Sequence, residues 1–480
     1  MIMFLFISTY EWLALKANKM LLLVAVVTSF LLMFALWDGY KRVSFQTKTI
    51  VAIAQQQKAD YKKYSQQIAS ALPGQHFDGG HFGDPTNPFY FGSRMGAKYA
   101  VLPPAPLSII STGQGDLFPY YYKLTLSKRQ ALYHSEEIEN PHILYNGSFD
   151  LSFVIIFLLP LVIIAFTYNI YAAEKQNGTL QLLMAQNTSV QKITVYRVLF
   201  RYLLFCGFTT VVLFAGLLAF GVDVSANLSA LAYVTGIVWL YAAFWFAFAL
   251  LINSFKKNAG FNATILTGSW LLLVLIIPTI LSGVVNQLHP NRSKIDLITK
   301  TRDISDSIAI TNNVLNRFLE EHPEFKPAGA AQPDRNSATL RNRIEVEMQK
   351  EILLNEFANT TQNREALVNR YRFFSPAIFM QQLLNNASGT TEKRYIDFDN
   401  QVKSYHQVYR NYFEPLVYRQ QKFTAENASK VPDFTYREAS NLASSGNAAN
   451  ILYLVLLVIV MVLFAIQNKY NRLFSFRRGQ

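Results

Sequence analysis

Six runs of apolar residues, each long enough to cross a lipid bilayer, constrain this 480-residue chain more than any other feature. About 20 apolar residues in a helix cover the hydrocarbon core. Residues 20–37, 151–172, 203–222, 228–252, 263–285 and 449–466 approach or exceed that length without one Lys, Arg, Asp or Glu. Helices buried in a soluble core rarely run so far uncharged. Only 16% of the chain is charged, against about 25% in typical soluble domains. The expected fold class is therefore a mainly α membrane protein with six transmembrane helices.

Orientation follows from the basic residues that flank the spans. Segments 1–19, 173–202, 253–262 and 467–480 hold 12 Lys and Arg against two acidic residues, Glu11 and Glu174. The segments on the other side are nearly balanced. Both termini are thus expected in the cytoplasm. The net charge of +13 then reports topology and contact with anionic lipid, and no nucleic-acid partner is implied. The first apolar run exceeds the usual signal-peptide core of about 7–15 residues and exits through Trp37, Asp38 and Gly39 without a small-residue cleavage site, so it reads as a retained anchor. Residues 1–19 before it read as an interfacial helix with Tyr10 and Trp12 at headgroup level.

Two long extracytoplasmic regions remain. Region 1 (38–150) is expected to be mixed α/β. Its start, to about Ser70, continues the first helix, and Tyr121–Leu126 reads as a strand. Region 2 (286–448) is expected to be mostly helical. Within it, Tyr395, Phe398, Val402, Tyr405, Tyr409 and Tyr412 recur at steps of 3 and 4, a seam that packs either inside one domain or against a second chain.

Several chemistries are excluded by motif. There is no GxxxxGK[ST] phosphate loop, no HExxH, no CxxC and no GxSxG. The single Cys206 rules out a disulfide framework. No catalytic residue is assigned, so the chain is read as a non-catalytic subunit. His76, Asp78, His81 and Asp84 form a polar cluster, but its Asp-Gly-Gly spacing reads as a turn, leaving His76 and His81 as weak metal candidates only. No acidic or basic residue lies inside a span to mark a proton or sodium path, which argues against a secondary transporter. Pro160 and Pro278 lie inside the second and fifth spans. Each removes a backbone hydrogen bond, making it a candidate kink point.

The segment 173–202 between spans two and three carries the most information. Asn177 and Gly178 tolerate the left-handed conformation that ends a helix. Thr179 can cap a short following helix with Leu180, Leu182 and Leu183 on its apolar side. A short amphipathic helix bracketed by two membrane helices is a docking point for a soluble motor, or else a plain connecting loop.

These residues, Glu174-Lys175-x-x-Gly178-Thr179-Leu180 after a span and followed by a Leu-rich turn, resemble the permease subunit of ABC-2 type transporters. Six spans, cytoplasmic termini and an interfacial helix fit the same resemblance. So do LPPAPLSIISTGQGDLFPYYYKL and SPAIFMQQLLNNASGTT, which are similar to a bacterial subgroup with two large extracytoplasmic insertions. The resemblance implies that 173–202 contains a coupling helix. Glu174 and Lys175 would make polar contacts there, Gly178 and Thr179 would form the turn, and Leu180, Leu182 and Leu183 would be apolar anchors. It implies two copies of a separate ATP-binding subunit, which would carry ATP and magnesium; no cofactor is expected on this chain. A second permease subunit, identical or related, membrane lipid and a periplasmic partner complete the expected partners. Two alternatives are a lever that drives periplasmic partners without conducting substrate, and a membrane scaffold or receptor.

Overall fold

The computed structural model describes residues 2–17, 19–72, 77, 80–131, 149–179, 190–290, 294–310, 314–326, 334–438 and 446–467. Among them, six helices are long and apolar enough to cross a membrane, and the fold is mainly α. Helix α1 (Ile2–Ala17) is followed by α2 (Met20–Ala69), a 50-residue helix that carries the first apolar run and continues well past it. The other apolar runs lie in α3 (Leu151–Gln176), α4 (Val190–Ala219), α5 (Leu228–Ser254), α6 (Ala259–Leu288) and, after region 2, Gly446–Gln467. α5 packs against α3, α4, α6 and the last of these helices. Its Tyr241 and Trp245 are fully buried, which places it at the centre of the bundle. α6, by contrast, leaves Leu272, Ile280 and Val284 exposed, a surface suited to lipid or to another apolar chain.

Both candidate kink prolines follow a local change of helix type. In α3, Val154–Leu158 is π-helical and Pro160 follows; in α6, Leu271–Ile276 is π-helical and Pro278 follows. Proline offers no N–H, so carbonyls in the preceding turn lose their helical donor. Neighbouring side chains replace it, as they must where no water is at hand. Tyr241 Oη donates to the Ile156 carbonyl at 3.0 Å, Trp270 Nε1 to Phe157 at 3.1 Å, and Ser375 Oγ to Leu273 at 2.6 Å.

Region 1 contributes a three-stranded antiparallel sheet, β1 (Lys98–Val101), β2 (Tyr121–Leu124) and β3 (Arg129–Ala131), with Lys98 opposite Leu124 and Leu124 opposite Arg129. Region 2 contributes α7 (Lys294–Ile310), α8 (Val314–Glu321), α9 (Arg335–Tyr371), α10 (Pro376–Ser388), α11 (Glu392–Tyr418) and α12 (Ala425–Lys430), and leads into α13 (Gly446–Gln467).

The two regions pack against each other. Phe91, Leu124 and Leu126 of region 1 share one apolar core with Phe398, Phe413 and Phe423 of region 2. The Phe91 ring lies 4.3 Å from Phe423 and 6.2 Å from Phe413, centroid to centroid. The aromatic seam of α11 supplies much of this core, so its packing is intramolecular. Tyr395, Phe398, Val402, Tyr405 and Tyr409 are buried, and Phe413 rather than Tyr412 continues the row. That one-residue slip is the drift of a straight 3.6-residue helix against a strict 3–4 repeat.

Candidate functional site

At the end of the bundle that carries residues 173–179, polar side chains converge where α3 is broken. The chain leaves regular helix over residues 168–171 before resuming at Ala172. Carbonyls freed there are taken up by three other helices. Arg201 of α4 donates to Phe166, Asn253 of α5 to Thr167 at 3.2 Å, and Asn262 of α6 to Tyr168 at 3.1 Å. Asn253 Oδ1 also accepts from the Tyr171 amide at 3.3 Å and from Asn262 at 3.3 Å.

A charged network adjoins this break. Arg197 Nη1 lies 2.7 Å from Glu174 Oε1, and its Nε lies 3.2 Å from Glu11 Oε2. Arg201 reaches Glu11 Oε1 at 2.5 Å. Glu11 is only 2% exposed, and two cations facing two anions leave the cluster formally neutral. Ile7, Glu11 and Leu15, four residues apart, are buried along one face of α1, so the helix is seated on the bundle by the two ion pairs of Glu11 and by apolar side chains above and below it.

Of the sequence-predicted residues, Glu174 turns inward. Its carboxylate is held by Arg197 and by the Thr179 hydroxyl, which donates to it. Within this chain Glu174 is thus engaged by a charge-assisted pair, with its side chain still 20% exposed. Lys175 is exposed. Gly178 sits at φ +73°, with open space where a Cβ would be, so glycine is favoured there by backbone conformation alone. Leu180, Leu182 and Leu183 lie outside the described residues, as do His76 and Asp78 of the weak metal cluster. His81 follows in a 3-10 turn, and Asp84 accepts from Thr86 N and Oγ1 at 2.8 and 2.7 Å, closing a local turn. Sequence reading missed Glu11, Arg201, Asn253 and Asn262. A carboxylate within an apolar N-terminal run was the one signal available.

The other end of the bundle, which carries regions 1 and 2, holds a cavity of about 800 Å³. Pro278 and the two π segments border it through Ile156, Phe157 and Val274. α10 forms another wall and explains its character. Phe379, Met380, Leu383 and Leu384 are fully buried in the apolar core of the spans, while Gln381, Gln382, Asn385 and Asn386 line the cavity. The amides are mutually engaged, Gln381 with Asn385 at 2.8 Å and Gln382 with Asn369 at 2.7 Å.

Glu392, in the first turn of α11, borders the same cavity. Burial and the nearby Glu365 push its carboxyl up to about 7, and Arg364, Arg372 and Lys393 also line the space. A carboxyl raised on folding binds more protons in the folded than in the unfolded chain, so stability falls as pH rises from about 4.5 to 7. Glu392→Gln should therefore stabilise the protein at pH 8 by about 1–2 kcal/mol, part exposure reducing the full effect, and change little at pH 4. Unfolding midpoints of both forms across that range check this; a gain independent of pH contradicts it.

Residues 297–437, which include the walls formed by α9, α10 and the start of α11, match the model of a domain of unknown function (DUF3526). No curated protein matches the chain.

Proposed function

We propose that the chain is the transmembrane permease subunit of an ATP-driven ABC transporter in a bacterial inner membrane. It couples ATP hydrolysis on a separate subunit to export or to work outside the cytoplasm. The observation that carries this reading is the bracing of the Glu174–Thr179 turn. Through Arg197 the turn is tied to α4 and, by way of Glu11, to α1, with Arg201 holding Glu11 from α4, and through Asn253 and Asn262 the adjoining break in α3 is tied to α5 and α6. A push on that turn is delivered to five helices at once instead of being absorbed by a loose loop. In this reading the charged end faces the cytoplasm, together with both termini. Lys175 and the leucines that follow are the docking surface, seated in a groove of the ATPase as a helix in a groove. The ATPase binds ATP and magnesium, this chain carries neither, and two such chains form the membrane unit.

A lever that drives periplasmic partners is favoured by one specific observation. α2 runs unbroken for 50 residues, about 75 Å. Its lower part packs among the spans, and its upper part reaches the shared outer core through Ile53, Tyr61 and Ile68. Motion at one end would be carried rigidly to the other.

Purification in mild detergent together with the products of neighbouring genes tests the proposal. A stoichiometric ATPase should accompany the chain and be lost from the Leu182→Asp, Leu183→Asp double variant. Gly178→Leu should keep insertion intact but lower the stimulation of ATP hydrolysis at least several-fold, since a side chain is strained at that positive φ. Stimulation equal to wild type, or no ATPase at all, would sink the coupling assignment.

A further inference from the structure

The cavity beneath α10 has a composition that specifies a ligand class, whatever the chain's role in ATP-driven transport. Its apolar wall belongs to the spans: Ile156 and Phe157 of α3, and Val274, Pro278, Leu281 and Val285 of α6. Because α6 is otherwise little covered, with Ile280 and Val284 exposed beside the cavity-lining residues, a chain molecule can approach along it from the side. The facing wall is polar, built from amides of α10 and from Asn447 and Asn450 of α13. A volume of about 800 Å³ lies within the usual range of roughly 300–1,000 Å³ for ligand sites.

The charges on the polar wall are of both signs. Arg364, Arg372 and Lys393 face the same space as Glu365 and Glu392. Arg364 is already engaged, donating to the His289 carbonyl and to Asn286 Oδ1, both at 2.6 Å. Arg372 makes long contacts of 3.4 and 3.5 Å to Gln382 and Asn369, and its Nε has no partner. Glu392 Oε1 and Oδ1 of Asn450, a residue only 1% exposed, are likewise unpartnered. Buried polar atoms are rarely left unpaired without cause. A purely anionic head would meet two carboxylates, and a purely cationic one would meet Arg372 and Lys393.

We infer that this cavity holds one zwitterionic amphiphile, its phosphate at Arg372 and Lys393, its amine at Glu365 and Glu392, and its acyl chains along α3 and α6. The π segments widen the two spans where the chains enter, and the prolines that follow keep that geometry. The amide network of α10 gives donors and acceptors to the ester and glycerol oxygens between head and tail.

Native mass spectrometry of the full chain in detergent tests this with three probes. They are short-chain phosphatidylethanolamine, phosphatidylglycerol with the same chains, and soluble phosphorylethanolamine. One phosphatidylethanolamine should bind per chain, more tightly than phosphatidylglycerol, and phosphorylethanolamine should fail to displace it. Glu392→Gln should weaken phosphatidylethanolamine binding about tenfold and leave phosphatidylglycerol unchanged or tighter. Lys393→Gln should weaken both about tenfold, and because Lys393 is exposed the variant keeps the fold even if Arg372→Gln does not. Equal binding of the two lipids, equal loss of both in Glu392→Gln, displacement by the soluble head alone, or no bound lipid would each overturn the inference.

Discussion

Glu11→Leu should lower the stability of the purified protein by about 3–5 kcal/mol, read from a denaturant titration in detergent. The loss arises because Arg197 and Arg201, whose side chains are 8% and 12% exposed, would be left with one carboxylate between them. A charge stranded away from water costs far more than its pair ever contributed. Removing the stranded partner should therefore restore stability. The Glu11→Leu, Arg201→Met double variant leaves Arg197 paired with Glu174 and should recover most of the loss. If Glu11→Leu alone costs under about 1 kcal/mol, α1 is not locked to α4 by this network. The bracing argument for the Glu174–Thr179 turn would then fail with it. The same variant separates stability from coupling. At a temperature where it stays folded, a freed α1 should still lower the response of the turn to a docked ATPase.

Phe413→Ala should cost a similar amount, about 3–5 kcal/mol, the usual loss for truncating a fully buried aromatic. Phe413 is completely buried and packs 4.9 Å from Tyr409, 5.4 Å from Phe423 and 6.2 Å from Phe91, between ring centroids. What matters is where the loss appears. Because Phe91 and the β1–β2 sheet belong to the same core as α11, amide exchange should accelerate at Lys98–Val101 of region 1 although the substitution lies in region 2. Polar links across the same boundary reinforce the coupling, with Tyr122 Oη donating to Asp399 at 2.8 Å and Tyr409 Oη to the Gly96 carbonyl at 2.8 Å. Exchange that rises only within 392–431 would mean that two independent domains sit side by side.

One core for two regions bears on both functional readings. A movement of α2 reaches an outer body that responds as a unit, which suits a lever. The cavity lies between that body and the spans, so a shift of α10 or α11 relative to α3 and α6 would reshape it. Either proposed reading would draw on the same joint, and the lipid-binding experiment and the ATPase experiment report on its two sides separately.

Much of this architecture is legible from residue order alone. An uncharged run of about 20 apolar residues has few places to go except across a membrane, so the spans emerge from hydropathy. The helix beyond the first span and the strand at Tyr121 follow from local propensity, and Pro160 and Pro278 announce their disturbance because a missing N–H is a property of the residue itself. Gly178 is of the same kind. None of the decisive pairings has that character. Periodicity says which face of α11 is apolar, but not that Phe91, some 320 positions earlier, covers it. Glu11 meets Arg197 and Arg201 only because α1 folds back on α4, nearly 190 residues away. That Glu174 pairs with Arg197, 23 positions later, is likewise set by how α3 and α4 pack. The cavity is the clearest case, since it takes residues from α3, α6, α9, α10, α11 and α13, and an empty volume belongs to no segment. Local chemistry sets what each helix is; which side chains end up facing one another is decided by packing, because burial rewards area and leaves the partner's identity to the tertiary fold.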